Sequence, residues 1–384
     1  MTPYSLLFEP IYKEKVWGGR ELVRLGKQLP EGVSIGESWE LADLPESIAG
    51  GRSVIANGEL AGITLRQALQ QHEKMILGAA KPTPGGGFPL LIKYLDARKN
   101  LSVQVHPDEV YVRNHPETHL KSEAWYIIDA EPGAVIYRGI DPAVSREQFA
   151  RHIETDNVID DLIAIPVKSG DCHYLPSGTC HALGAGIVIA EIQTPSDTTF
   201  RVHDWGRTDR ELHIEAALEC IHFGPHAGND SLDENENAHQ PQIRPIEVKG
   251  VSSTPLVISD HFEIEVIRVE ASGNLGIVTN GMPIIWMLIE GSAEIESDET
   301  ASIPLRKGDT VLHPAGLENV HARFPEQSML LQILLPSPLK GLMMGEPVDS
   351  IIPGTTRRAV HWSMSASNSM ARNRGSCTVV MVEA

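Results

Sequence analysis

A spaced pattern that occurs twice constrains this chain more than any other feature of its sequence. Gly170, Pro176, Gly178 and His181, separated by five, one and two residues, recur as Gly308, Pro314, Gly316 and His321, with only the last gap widened to four. Each copy opens with Gly-Asp and follows a β-like run. Glycine and proline so placed suit a tight turn between barrel strands, and the turn delivers the following histidine onto a strand facing the interior. A repeat of this kind predicts two related β units in one chain.

The remaining pattern agrees. Short apolar runs such as Pro89 to Leu95, Ala124 to Ile128 and Gly186 to Ile192 are bounded by Gly, Pro or Asp. That is how sheet-rich folds read, and it predicts a mainly β protein of sandwich or barrel type. Helices are accessories. Thr64 to Gln67 and Ser145 to Gln148 each match a capping box, and a third helix is expected from Glu211 to Ile221, with Leu212, Ala216 and Leu218 toward the core. A length of 384 residues exceeds one ordinary domain. The expected division is residues 1–223, an acidic linker over 224–242 that is almost without large apolar residues, and a second unit over 243–384. Pattern is lost after Pro353 until a β-like ending, Cys377 to Val382, which is expected to return one strand to a sheet.

Charge removes some partners. Lys plus Arg number 32 against 51 Asp plus Glu, a net charge of −19, which repels polyanions and argues against nucleic acid or anionic membranes. A small anionic substrate would then need a local basic pocket. The opening residues carry no basic segment followed by a long apolar run, and no stretch is long enough to span a bilayer, so a soluble cytoplasmic protein is expected. Cys172, Cys180, Cys220 and Cys377 show no paired spacing and read as reduced thiols.

The densest polar chemistry is Ser102-Val-Gln104-Val-His106, followed by Lys121-Ser-Glu123 and by His181. On a strand, Gln104 and His106 share a face while Val103 and Val105 point the other way into packing. With Glu123 and His181 on neighbouring strands, two imidazoles, a carboxylate and an amide oxygen converge. Such a set suits a borderline metal such as zinc, with one position left open for water or substrate. A lone half-buried histidine is more often structural than a ligand, but the spacing that ends at His181 matches the second cupin motif without a gap.

The stretch Phe88-Pro-Leu-Leu-Ile-Lys-Tyr-Leu-Asp-Ala-Arg-Lys-Asn-Leu-Ser-Val-Gln-Val-His-Pro-Asp108 resembles the signature of type I mannose-6-phosphate isomerases. So do Val16 to Gly19, Ile35 to Glu40, Pro176 to Leu183 and Glu191 to Arg201. The resemblance is strong over residues 5–225 and weak in the second unit. It implies two cupin-type jelly-roll barrels, one catalytic, and interconversion of mannose 6-phosphate and fructose 6-phosphate through a zinc-stabilised enediol. Carried over by position, it implies Gln104, His106, Glu123 and His181 as ligands of one zinc per chain. It also implies Arg201, Glu191 and Lys121 as catalytic residues, and Lys93 and Ser102 as substrate contacts.

Blander readings stand beside these. Arg201 could pair with Asp197 or Asp204, and Lys93 could snorkel from its strand. His173 stands where the family more often has an aromatic, and is read as structural. The large inserted helical domain of long family members is missing, so the chain reads as the short bacterial form, monomeric or weakly dimeric. An iron-dependent cupin oxygenase and a non-catalytic sugar-binding cupin are the competing classes, and the amide ligand Gln104 discriminates against the first. The second unit is expected to be metal-free, because Ile284 falls where the first has Glu123 and only His313 and His321 are nearby.

Overall fold

The computed structural model describes residues 1–224, 246–248 and 250–336. Residues 225–242 of the expected linker and the expected final strand at Cys377 to Val382 lie outside the described residues. Each unit is a pair of antiparallel sheets. In the first unit, the larger sheet runs in the order Ile11–Gly19, Ile35–Leu41, Leu91–Ala97, Ile187–Gln193, Glu123–Ala130 and Cys172–Leu175. The smaller runs Phe200–His203, Val103–Val105, His181–Leu183, Val135–Ile140 and Leu162–Pro166. The jelly-roll reading of the sequence is therefore what the chain adopts.

The second unit repeats the plan. Its larger sheet is ordered Thr310–His313, Ile284–Glu290, Ser328–Leu334, Glu263–Val269, Val251–Ile258 and Ile246–Val248, and its smaller sheet Gly273–Ile277, Val320–Phe324, Ser292–Ser297 and Ile303–Arg306. A seventh strand in the larger sheet comes from the far end of the chain, where Leu6 pairs with Leu312 and Leu7 with Val311. The N-terminal residues thus complete the second unit's sheet edge, which would otherwise present unpaired backbone groups.

Alternation along the strands divides the apolar residues between separate cores. Trp17, Leu95, Trp125, Ile127, Ile136 and Ile189 fill the first barrel, and Trp286, Leu288, Ile295, Val320 and Phe324 the second. The opposite faces of the two large sheets meet. Ile92, Tyr94, Tyr126 and Ile192 share one buried cluster with Ile264, Val266, Ile285 and Leu331. Each such side chain contributes about 1.5–3 kcal/mol by leaving water, so this seam binds the units firmly. Polar contacts add direction: Lys27 Nζ lies 2.7 Å from Glu40 Oε2 and donates to the Gly308 carbonyl at 2.7 Å. Gly308, at φ +89°, is required there because a Cβ would run into the Leu25 carbonyl.

Helices cover the outer face of the first unit's smaller sheet, where Val103 and Val105 pack with Tyr111, Phe149, Ala217 and Cys220. The Leu65–Leu77 helix has the complete capping box at Thr64. In the Arg146–Glu154 helix only half forms: Ser145 accepts from the Gln148 amide, but its hydroxyl turns to Glu147 Oε2 at 3.0 Å. The third helix is shorter than its expected span, Ile214–Cys220, with His213 at its N-cap. Leu212 therefore precedes the helix and is exposed, while Ala216 and Leu218 pack against a core whose fully buried members here are Ala217 and Cys220.

Candidate metal centre and active-site pocket

Because Val103 and Val105 are held in the helix-side core, Gln104 and His106 face the barrel interior. His181 pairs with Gln104 across the smaller sheet, and Glu123 begins a strand of the larger one. The fold thereby brings His106, Glu123 and His181, all buried, to within 4.8 Å between donor atoms. Glu123 stands 3.4 Å from His106 Nε2 through Oε2 and 3.2 Å from His181 Nε2 through Oε1. Gln104 joins them, its Nε2 3.3 Å from His181 Nε2. A half-turn of the amide exchanges its oxygen and nitrogen and aims the oxygen at the same point.

The surrounding backbone prepares both imidazoles. His106 Nδ1 lies 3.0 Å from the Thr198 carbonyl and His181 Nδ1 2.8 Å from the Thr179 carbonyl. A carbonyl only accepts, so each Nδ1 carries the proton and each Nε2 lone pair points inward, the arrangement that orients metal-bound histidines. Burial, reinforced by the Lys121 charge, pushes His106 down to about 3, so its ring is neutral. Burial alone would raise Glu123, yet the adjacent Lys121 charge leads the opposing influences and the carboxyl is held well below its usual range. Neither Glu123 oxygen accepts a hydrogen bond of good geometry. A fully buried carboxylate flanked by the Lys121 ammonium and facing the Nε2 atoms of two histidines fits a divalent cation of the nitrogen- and oxygen-binding kind. His173 pairs with Trp125 and is not among the clustered donors.

Beside this centre lies a cavity of about 350 Å³. Lys93, Ser102, Gln104, Lys121, Glu191 and Arg201, all singled out in the sequence, line it. Lys121 Nζ is 2.8 Å from Glu123 Oε2 and 3.0 Å from His106 Nε2, which places a cation where metal centre and pocket meet. Lys93 does not snorkel: it is buried, 2.7 Å from Glu191 Oε1 and 2.5 Å from Gln193 Oε1. Desolvation opposes its charge, but Glu191 and Glu37 more than offset that and raise its pKa. The other Glu191 oxygen accepts from Trp125 Nε1 at 3.2 Å. Ser102 Oγ donates to Gln104 Oε1 at 3.3 Å.

Arg201 pairs with neither carboxylate considered for it. Asp204 is taken by Arg207 and Arg210, and among the described residues Arg201 makes no ion pair. Its Nη1 donates to the Glu211 carbonyl at 3.2 Å, while its buried Nε has no partner. Burial and the neighbouring Arg210 charge both lower its pKa.

Several lining residues were not read from the sequence: Lys15, Glu37, Trp39, Asp197 as a wall residue, Arg210 and His213. Glu37 and Trp39 were detectable, because alternation along Ile35–Leu41 places both on one face and Ser38 and Glu40 on the other. They are joined directly, Trp39 Nε1 donating to Glu37 Oε2 at 2.6 Å, and Lys15 lies 3.0 Å from Glu37. Burial raises Glu37, but Lys93 and Lys15 overcome it and draw the carboxyl down to about 2. Arg210 and His213 follow an irregular loop and carry no spacing signal.

A two-barrel cupin with a buried His-Glu-His donor cluster beside a polar cavity defines the class of this protein. Residues 6–135 match the family model described as phosphomannose isomerase type I, catalytic domain. The mannose-6-phosphate isomerase ManA of Bacillus subtilis is 36% identical over 323 residues, spanning 83% of this chain and 95% of that protein. The mannose-6-phosphate isomerase of Streptococcus mutans is 34% identical, spanning 80% and 92%. Among solved structures, the mannose 6-phosphate isomerase of Bacillus subtilis superposes with a TM-score of 0.74 at 30% identity, covering 86% of this chain and 99% of that one. A putative mannosephosphate isomerase from Archaeoglobus fulgidus, 19% identical with a TM-score of 0.67 over 87% and 99%, shares the fold. The chain belongs to the type I phosphomannose isomerase family. No helix among the described residues is long and apolar enough to cross a membrane.

Proposed function

We propose that this chain interconverts mannose 6-phosphate and fructose 6-phosphate as a zinc-dependent aldose–ketose isomerase. The observation that carries this reading is the meeting of His106, Glu123 and His181 beside a cavity rich in fixed cations, whose lining residues Gln104 and Lys121 touch that cluster. The cavity supplies Lys15, Lys93, Lys121, Arg201 and Arg210 against Glu37, Glu191 and Asp197. In a chain of net charge −19 such a concentration of cations suits a small phosphorylated substrate and no polyanion.

Gln104, His106, Glu123 and His181 would hold one zinc, which when bound polarises an oxygen on the reacting carbons. The reaction moves a proton between adjacent carbons, one of them next to a carbonyl, so it needs a base and a fixed positive environment. Glu191 is positioned as a carboxylate, oriented by Trp125 and neutralised by Lys93. Lys121, at the junction of centre and pocket, is placed to give or take a proton at a substrate oxygen. Arg201, which makes no ion pair among the described residues, steadies charge on enediolate or phosphate. Lys93 and Ser102 contact the sugar phosphate.

We assign catalysis to residues 1–223 and a supporting role to the unit that follows the linker, and read the protein as a cytoplasmic monomer or weak homodimer. A coupled assay over mannose, glucose and other hexose 6-phosphates tests the substrate. Preference for mannose 6-phosphate is expected, and equal or better turnover of another aldose phosphate would displace it.

A further inference from the structure

The turn Asp204-Trp205-Gly206-Arg207 sits in the left-handed region at both central positions, Trp205 at φ +55° and Gly206 at φ +77°. The Arg207 amide closes it on the Asp204 carbonyl at 3.0 Å. Glycine takes such a conformation freely, but a tryptophan costs about 1–2 kcal/mol there. Strain of this sort persists only where surrounding contacts over-determine it, and it gathers at functional sites.

Trp205 packs against His203 and Tyr137, and two further contacts of the turn lead to the pocket. Trp205 Nε1 donates to the Leu101 carbonyl at 2.5 Å, and Arg207 Nη2 donates to the Asn100 carbonyl at 2.9 Å. They fasten the segment that carries Leu101 and Ser102 into the cavity wall. Asp204, buried beneath the turn, accepts from Arg207 Nε at 3.0 Å and from Arg210 Nε and Nη2 at 2.8 and 2.5 Å. Arg210 lines the cavity next to Arg201. Two guanidinium groups are thus held close enough to repel, one fixed by Asp204 and the other without a carboxylate among the described residues. A like-charge pair facing a cavity is stabilised by a shared anion, and planar guanidinium groups match a phosphate's oxygens.

We propose that Asp204 is a positioning residue for the phosphate end of the pocket, holding Arg210 beside Arg201 and, through Arg207, fixing the segment that carries Ser102. The inference rests on the reading of the substrate as a sugar phosphate. Asp204 touches no substrate in this scheme; it sets where Arg210 stands. Its effect therefore belongs to binding of the phosphoryl group and not to proton transfer.

The test uses the full-length, metal-loaded enzyme and its Asp204→Asn, Asp204→Glu and Arg210→Ala variants. KM and kcat are measured for mannose 6-phosphate, with the competitive inhibition constant of inorganic phosphate. Asp204→Asn keeps the shape and removes the charge, so KM and the phosphate constant should rise together by roughly 10-fold, with kcat changed far less. Asp204→Glu should recover part of the loss. Adding Asp204→Asn to Arg210→Ala should weaken phosphate little further, as expected when both act on one contact. Unchanged KM and phosphate inhibition in a folded Asp204→Asn protein would overturn the proposal, and so would a loss confined to kcat. Should that variant not fold, unaltered phosphate inhibition in Arg210→Ala overturns it equally. Thermal stabilisation by inorganic phosphate separates this from the substrate reading. Stabilisation seen in the parent and lost in Asp204→Asn supports the positioning role even in a protein that does not turn over mannose 6-phosphate.

Discussion

Ile284 lies directly opposite His313 on neighbouring strands of the second unit. The equivalent rung in the first unit pairs Glu123 with Leu175, each partner standing just before the proline of its turn. His313 is therefore the counterpart of Leu175 and not of the ligand candidate His181. It packs edge-on against Trp286 and its Nδ1 lies 2.9 Å from Ser5 Oγ. His321, the histidine that the repeat aligns with His181, is exposed and lies 3.1 Å from Glu296. Along this strand Val320, Ala322 and Phe324 face the core and His321 faces outward, so the repeat's histidine does not enter the second barrel. One equivalent of metal per chain is expected, and elemental analysis finding two, with one lost in His321→Ala, would contradict it.

Replacing His106 or His181 by alanine should remove a donor from a site fixed on strands. Metal content should fall steeply and isomerase activity by at least about 100-fold, with far-ultraviolet circular dichroism retained. Near-normal activity in either variant after chelator treatment would remove these residues from the ligand set.

For Arg201→Lys, charge is kept but the planar pair of donors is lost. Turnover should drop by roughly 10- to 100-fold, the worth of one or two well-placed charged hydrogen bonds. Steady-state kinetics equal to those of the parent would take Arg201 off the catalytic list.

How much of this could be seen in the sequence depended on periodicity. Gln104 and His106 were legible because period-two alternation fixes their common face, and the His181 turn because its glycines and proline are spaced for it. Glu37 and Trp39 obeyed the same alternation. Arg210 and His213 did not: a loop brings them to the cavity, and no local pattern records a loop's path. Leu212 was misplaced because helix periodicity does not say where the first turn begins. Nothing local announces that Leu6 pairs with Leu312, since that contact joins the chain's start to its second repeat.

That long-range pairing has a measurable consequence. Leu6 is fully buried in the core shared by the two units. Leu6→Asp should place an unpaired carboxylate there and destabilise the protein by about 3 kcal/mol or more. Urea unfolding with an unshifted midpoint would show the N-terminal strand to be dispensable.

Acid sensitivity should trace partly to His313, which burial pushes down to about 3. An unfolded histidine titrates near 6.5. Below that value the unfolded chain binds a proton that the folded one refuses, so the contribution is complete above about 6.5 and is lost as pH falls toward 3. His313→Asn should flatten the decline of Tm between pH 6.5 and 4. A decline as steep as the parent's would assign the sensitivity elsewhere.

The most direct measurement is isomerisation of mannose 6-phosphate by metal-depleted protein, followed as zinc is added back. Activity should be absent at the start, rise linearly with zinc and level off at one equivalent per chain. Full activity without metal, or none at any zinc level in a correctly folded protein, would contradict the assignment of a zinc-dependent isomerase.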